Sequence, residues 1–278
     1  MAADVTSADA GRPAALEPAA VPVPAPASRP HRLRFVLIYG GLGVIFAAAI
    51  AGVVVFAGRT IHPSPAWSSW KPKGGGQGAE QEIAAHVGSG YKLPNGDQLV
   101  DVIAKAPAVS PPSSAAIPIH YIAVRGAKGT QDQIYPVSPS NSVMYSLCGL
   151  GVSCAIASGT PSLERGRLVR REILELALYT FRYVGGIQNV IAFIPPRPAV
   201  SGQAAAKQYV VYLRQSDVTR HLKRPLAFTL GSKVPLPKTI PANEVRVIDA
   251  TTNPRVYTFG VAQAPQGDLV FVLAPLTA

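Results

Sequence analysis

Acidic residues are scarce in this chain, cysteines scarcer still, and ordered metal-ligand clusters are missing. Fifteen Asp and Glu face 26 Lys and Arg over 278 residues, giving a formal charge of +11. With so few carboxylates, the paired acids that serve general acid–base chemistry are hard to assemble. The one Glu-x-x-Glu spacing is Glu172 and Glu175 on a candidate helix, where an ion pair of Glu175 with Arg171 or Arg182 is the expectation. The five histidines (His31, His62, His86, His120 and His221) are scattered without metal-binding spacing, so neither a zinc site nor any other metal site is expected. Gly74, Gly75, Gly76 and Gly78 lack the Gly-Lys-Ser/Thr ending of a phosphate loop. No internal repeat is evident, which excludes a solenoid or propeller. No cofactor is expected.

Long apolar runs are equally rare, with one exception. Phe35 to Ala57 (FVLIYGGLGVIFAAAIAGVVVFA) carries no charge. A bilayer core of about 30 Å needs about 20 helical residues, so residues 35–57 read as one transmembrane helix. The run is too long and too far from the start for a cleaved signal peptide, and a retained signal anchor is expected. Arg29, His31, Arg32 and Arg34 crowd its N-terminal flank. Positive charge next to a span stays cytoplasmic, which places the tail inside and the C-terminal bulk outside, in the cell membrane as a single-pass protein.

Residues 1–34 form an Ala/Pro-rich tail with too few large apolar side chains for a core, and disorder is expected there. Residues 58–78 read as a Pro/Gly/Ser-rich linker. In it, Trp67 and Trp70 can rest at the headgroup interface or pack on the following domain. Residues 79–114 read as a short helical membrane-proximal segment, with helices over Glu80–Val87 and Asp97–Lys105 split by a Gly/Pro/Asn turn.

Residues 115–278 read as an α+β domain outside the cytoplasm. Short β-rich runs are expected at 119–124, 133–137, 143–147, 188–194, 208–213, 244–249, 255–261 and 269–273, with a short helix over Asp217–Lys223 capped by Ser216. The strongest helix signal begins at Thr160-Pro161, with Thr160 as cap, and ends at Gly185-Gly186. Its apolar stripe includes Leu163, Val169, Ile173, Leu176, Ala177 and Phe181. Arg165, Arg167, Arg170, Arg171 and Glu172 fall on its expected exposed faces. Strands, a long helix and more strands imply a mainly antiparallel sheet packed on that helix.

Cys148 and Cys154 flank a Gly-containing loop, and a structural disulfide is expected in an oxidising compartment. Gly151-Val152-Ser153-Cys154-Ala155 approaches the Gly-x-Ser-x-Gly nucleophile elbow but ends in Ala. Asp217 and His221 are the nominal partners of a Ser153 hydrolase. The tail carries four arginines against three acids, which leaves +10 for the rest. The densest cluster, Arg165, Arg167, Arg170 and Arg171, is the candidate anion- or partner-binding site, with Arg165 and the free amides at the helix start suited to an anion. The sequence therefore points first to a non-enzymatic, membrane-anchored module that binds a partner protein or an anionic envelope polymer. An envelope hydrolase and a structural subunit of a membrane complex are the alternatives. Nucleic acid is not an expected partner, and no small-molecule substrate is identifiable.

Overall fold

The computed structural model describes residues 32–58, 66–109, 117–126, 133–198 and 207–276. Most of the tail, the 59–65 part of the linker and the Pro-rich breaks at 110–116 and 199–206 lie outside the described residues. The chain divides into two compact units, Met1–Pro63 and Ser64–Ala278.

In the first unit, helix α1 runs from Arg32 to Gly58. Its segment Phe35–Val53 is long and apolar enough to cross a membrane, and none of it is buried against protein. That segment is apolar on every side, with no polar face along it.

The described residues of the second unit are α+β, with a mixed eight-stranded sheet and four α-helices. Helix α2 (Gly76–Gly90) leads into strand β1 (Asp101–Lys105). A small ribbon pairs β2 (Ala108–Val109) with β3 (Ile117–Pro118). Then come β4 (Tyr121–Arg125), β5 (Ile134–Val137) and β6 (Ser142–Cys148). Helix α3 (Leu163–Tyr183) crosses over to β7 (Asn189–Phe193), which is followed by β8 (Val210–Arg214) and helix α4 (Gln215–Leu222). Helix α5 (Ala242–Thr252) precedes β9 (Val256–Gln263) and β10 (Leu269–Pro275). The sheet order is β1-β6-β7-β8-β9-β10-β4-β5. The β6–β7 and β10–β4 pairs are parallel and the other neighbours antiparallel. A parallel pair needs a long crossover, and α3 supplies it between β6 and β7.

Strict alternation separates two cores. In register across β6, β7 and β8, Val143, Val190 and Leu213 face the helices, whereas Met144, Ile191 and Tyr212 face the opposite side. The helix-side core gathers Ile83, Val87, Leu168, Ile173, Leu176 and Ile248 with the sheet residues. The other core joins Met144, Ile191, Val210 and Tyr212 to Ile122, Phe271 and Leu273.

Several expectations need correction. Asp101–Lys105 is an edge strand, not a helix: Val102 and Ala104 are buried while Asp101, Ile103 and Lys105 are exposed, the period-2 signature of a half-buried strand. Residues 244–249 belong to a helix, not a strand. Glu244, Ile248, Thr251 and Thr252 are its buried positions, at helical spacing. The cap of α3 is Ser162, whose Oγ accepts from the Arg165 amide, rather than Thr160. Gly186, at φ +83°, takes the left-handed turn just beyond the helix that a side chain would resist. The cap of α4 is Arg214, its amide held by Asp217, rather than Ser216. Trp67 and Trp70 pack on the domain. Trp67 joins the helix-side core and meets Tyr179 and Tyr183 edge-on, and Trp70 stacks on His86 at 3.9 Å.

Candidate functional site

The first half of α3 carries most of the chain's candidate chemistry. The sequence placed its arginines in solvent. The fold instead lays α2 and α5 against α3 and turns these arginines inward.

Arg171 is fully buried. Its Nε donates to Glu244 of α5 at 2.7 Å. One terminal nitrogen donates to the Tyr91 hydroxyl at 2.6 Å and to Glu175 at 3.1 Å, and the other donates to the Gly231 carbonyl at 3.0 Å. Tyr91 also donates to Glu175, and Glu244 accepts from the Gly231 amide. A buried ion is tolerated only when its hydrogen-bonding capacity is met, and this network meets it from α3, α5 and two loops. Burial alone would lower the proton affinity of Arg171, but Tyr91, Glu175 and Glu244 raise it above its ordinary value. Burial raises the Glu175 carboxyl, with Arg171 and Tyr91 opposing. The expected Arg171–Glu175 pair is therefore present, inside a larger network.

Arg167 and Arg170 lie nearer the rim and converge on Asp249 of α5, at 2.8 and 2.7 Å. Arg170 also donates to Thr252. Burial pushes Asp249 upward, but the two guanidinium groups outweigh it and hold the carboxyl below its usual range. Arg165 is buried and donates to the Ser158 carbonyl at 2.7 Å. The helix brings the four expected anion-binding arginines together, but it faces three of them with carboxylates. The Arg165 amide expected to meet an anion is taken by the Ser162 cap.

Glu172 departs furthest from its expected place on an exposed face. It is fully buried, and neither carboxyl oxygen has a hydrogen-bond partner among the described residues. Burial, reinforced by Glu175, pushes its carboxyl well above the usual range.

The loop before α3 is braced. Cys148 and Cys154 form the disulfide, with Cα atoms 4.5 Å apart. The Gly149 amide donates to the Cys154 carbonyl and the Gly151 amide to the Ala155 carbonyl. A Cβ at Gly149 would collide with the Ala155 backbone, so the sharp return requires glycine there. Ser153 and Cys154 both sit at positive φ, 55° and 63°, at about 1 kcal/mol or more each for residues with a side chain. The loop holds Leu150 and Val152 outward, 58% and 87% exposed.

The fold does not join the residues named for a Ser153 hydrolase by hydrogen bonds. Asp217 pairs with Arg255 at 2.9 Å and Arg214 at 3.2 Å. His221 is buried on α4 against Thr229, with Arg220 and Arg224 beside it. Burial first, then those two arginines, brings the imidazole down to about 4. No group of three or more His, Cys, Asp or Glu suited to a metal ion occurs among the described residues.

Sequence reasoning missed Tyr91, Glu244 and Asp249. Once 244–252 is recognised as a helix, Glu244, Ile248 and Thr251 align on one face, so the signal was present but assigned the wrong period. Comparison with known proteins gives no match: no family model, no curated protein and no solved structure matches the chain.

Proposed function

We propose that the chain is a membrane-anchored module whose large unit binds a partner protein outside the cytoplasm, through the surface around the disulfide loop. The observation that carries this reading is the loop itself. A disulfide, a glycine that tolerates no side chain and two residues in left-handed backbone conformation together hold Leu150 and Val152 in solvent. Folding gains nothing from exposing those side chains, whereas a partner's apolar pocket would gain the burial energy of both. Strain concentrated at an exposed loop is a recurrent mark of recognition sites.

The membrane part of the reading rests on the apolar helix α1. The orientation rests on the arginines flanking it, and the disulfide suits an oxidising compartment. An anionic polymer as partner loses support because Asp249, Glu244 and Glu175 answer the arginine cluster internally.

The test places a photo-crosslinking residue at Val152 in the full-length chain in its native membrane, with Ala85, on the exposed part of α2, as control. A discrete protein adduct from position 152 and none from 85 is the expected result. Equal labelling at both positions, or none at 152, would overturn the reading. A membrane-impermeant maleimide should reach a cysteine introduced at Ala85 and not one at Ala3. The reverse pattern would invert the orientation.

A further inference from the structure

The Glu172 carboxyl is buried with no hydrogen-bond partner among the described residues, and its location gives that a consequence. Successive residues of a helix are rotated by about 100°. Tyr179, seven residues on, therefore lies within about 20° of the Glu172 direction, and Tyr179 contacts His86 of α2. Thr180, eight residues on, lies about 80° to the other side, by the same geometry, and its hydroxyl bonds Tyr145 of β6. Glu172 thus lies on the face of α3 between the directions of α2 and β6, and Tyr91, just after α2, is close enough to feel its charge. The helix-side core there is supplied by Ile83, Ala84 and Val87 of α2, by Val102 of β1 and by Leu147 of β6.

The charged and titratable groups around this face are few. On α3 itself they are Arg171, Glu175 and Tyr179. Glu80 and His86 lie on α2, Tyr91 just after it, Glu244 on α5 and Tyr145 on β6. Arg171 is the buried cation of the group, and its hydrogen bonds go to Glu244, Glu175, Tyr91 and Gly231. Glu175 adds repulsion to any negative charge on Glu172. A protonated carboxyl is tolerable in such a place, while an ionised one without a donor is not.

We propose that Glu172 makes the packing of α2 and the β1–β6 edge onto α3 a proton-linked latch, closed while the carboxyl carries its proton and loosened when the proton leaves. In the unfolded chain the group ionises near the ordinary glutamate value, 4.5. Above that pH the folded state holds one proton more than the unfolded state. Stability conferred by the closed latch is therefore complete below about 4.5 and declines as pH rises toward the folded-state value. Any ligand or partner that supplied a donor to Glu172 would shift the latch in the same way as the proton.

The experiment compares the full-length protein with Glu172→Gln, both in lipid nanodiscs. Infrared spectra of the folded protein above pH 4.5 should show the carbonyl stretch of a protonated carboxylic acid, lost in Glu172→Gln. The unfolding equilibrium constant of the wild type should rise by up to tenfold per pH unit above 4.5 relative to the variant. Amide exchange in α2, corrected for its intrinsic pH dependence, should accelerate over the same range in the wild type alone. Absence of the protonated-acid band in the wild type, or parallel pH profiles for the two proteins, would overturn the proposal. If Glu172→Gln folds poorly, Glu80→Gln and Glu175→Gln, which should leave the band in place, assign it to Glu172, and loss of the band in either would overturn the proposal.

Discussion

Two arginine sites on α3, one turn apart, answer the same helix α5 in different ways. Arg171 is sealed in the core with Glu244, Glu175, Tyr91 and the Gly231 carbonyl. Arg167 and Arg170 share Asp249 at the rim, with side chains 22% and 15% exposed. Residue type and local sequence scarcely distinguish the two sites, and depth does. A deep pair has little net worth as a pair but is costly to break, because the surviving charge stays buried. A rim pair can be hydrated when broken. The deep site therefore fixes where α5 and the Gly231 loop must sit, and the rim site reinforces a contact already made.

The largest effect should come from Glu244→Ala. It strands Arg171 with a single carboxylate and removes the acceptor of the Gly231 amide. A loss of about 3–5 kcal/mol is expected, read as a lower denaturation midpoint of the full chain in detergent. The double variant Arg171→Met/Glu244→Leu removes both charges and should recover most of that loss. If the double variant were as unstable as the single one, orphaned charge would not be the cause, and the contrast between deep and rim sites would fail.

A covalent brace at the same end of α3 should come next. Replacing both Cys148 and Cys154 by Ser is expected to cost about 2–3 kcal/mol, as for a short closed loop. It should also abolish the crosslink from position 152 if loop shape is what the partner reads. Loss of stability with the crosslink retained would separate the brace from recognition.

His221 offers a third kind of buried charge site, one that avoids charge. Its imidazole is held to about 4 by burial and by Arg220 and Arg224, against 6.5 in the unfolded chain. Between those values the unfolded state binds the extra proton, so stability should fall as pH drops from about 6.5 toward 4. His221→Asn should flatten that acid slope, whatever its effect at neutral pH. An unchanged slope would mean that other groups carry the acid sensitivity.

These contrasts also mark where the sequence could be read. The apolar segment of α1, the extent of α3, the disulfide and most strands followed from period and composition, which are local signals. Arg167, Arg170 and Arg171 were misplaced for one reason. A polar residue on a helix reads as exposed unless its partner is known, and the partners here lie more than 70 residues away in α5 or 80 away at Tyr91. The strand at Asp101–Lys105 was hidden because Val-Ile-Ala is a continuous apolar run, and only the burial alternates, with Ile103 exposed. The helix at Ala242–Thr252 was hidden by Val-Arg-Val, which looks like a strand until Glu244 and Ile248 are seen on one face. The parallel pairing of β6 with β7 depends on where α3 packs, which no local signal carries. Of the candidate site, the loop and the arginine cluster were visible as residues, and their neutralisation was not.

The smallest effect tests the rim site directly. Asp249→Asn keeps the shape and some hydrogen bonding to Arg167 and Arg170 while removing the charge. With the partners partly exposed, water can take over their solvation, and a loss of about 1 kcal/mol or less is expected. The loss should shrink further in high salt, because exposed charges are screened within about 8–10 Å at ordinary ionic strength. Glu244→Ala, by contrast, should respond little to salt, since ions do not reach Arg171. Equal salt responses at the two sites would show that depth is not what separates them. The difference would then lie in the extra partners of Arg171, Tyr91 and the Gly231 carbonyl, and Tyr91→Phe would become the decisive substitution.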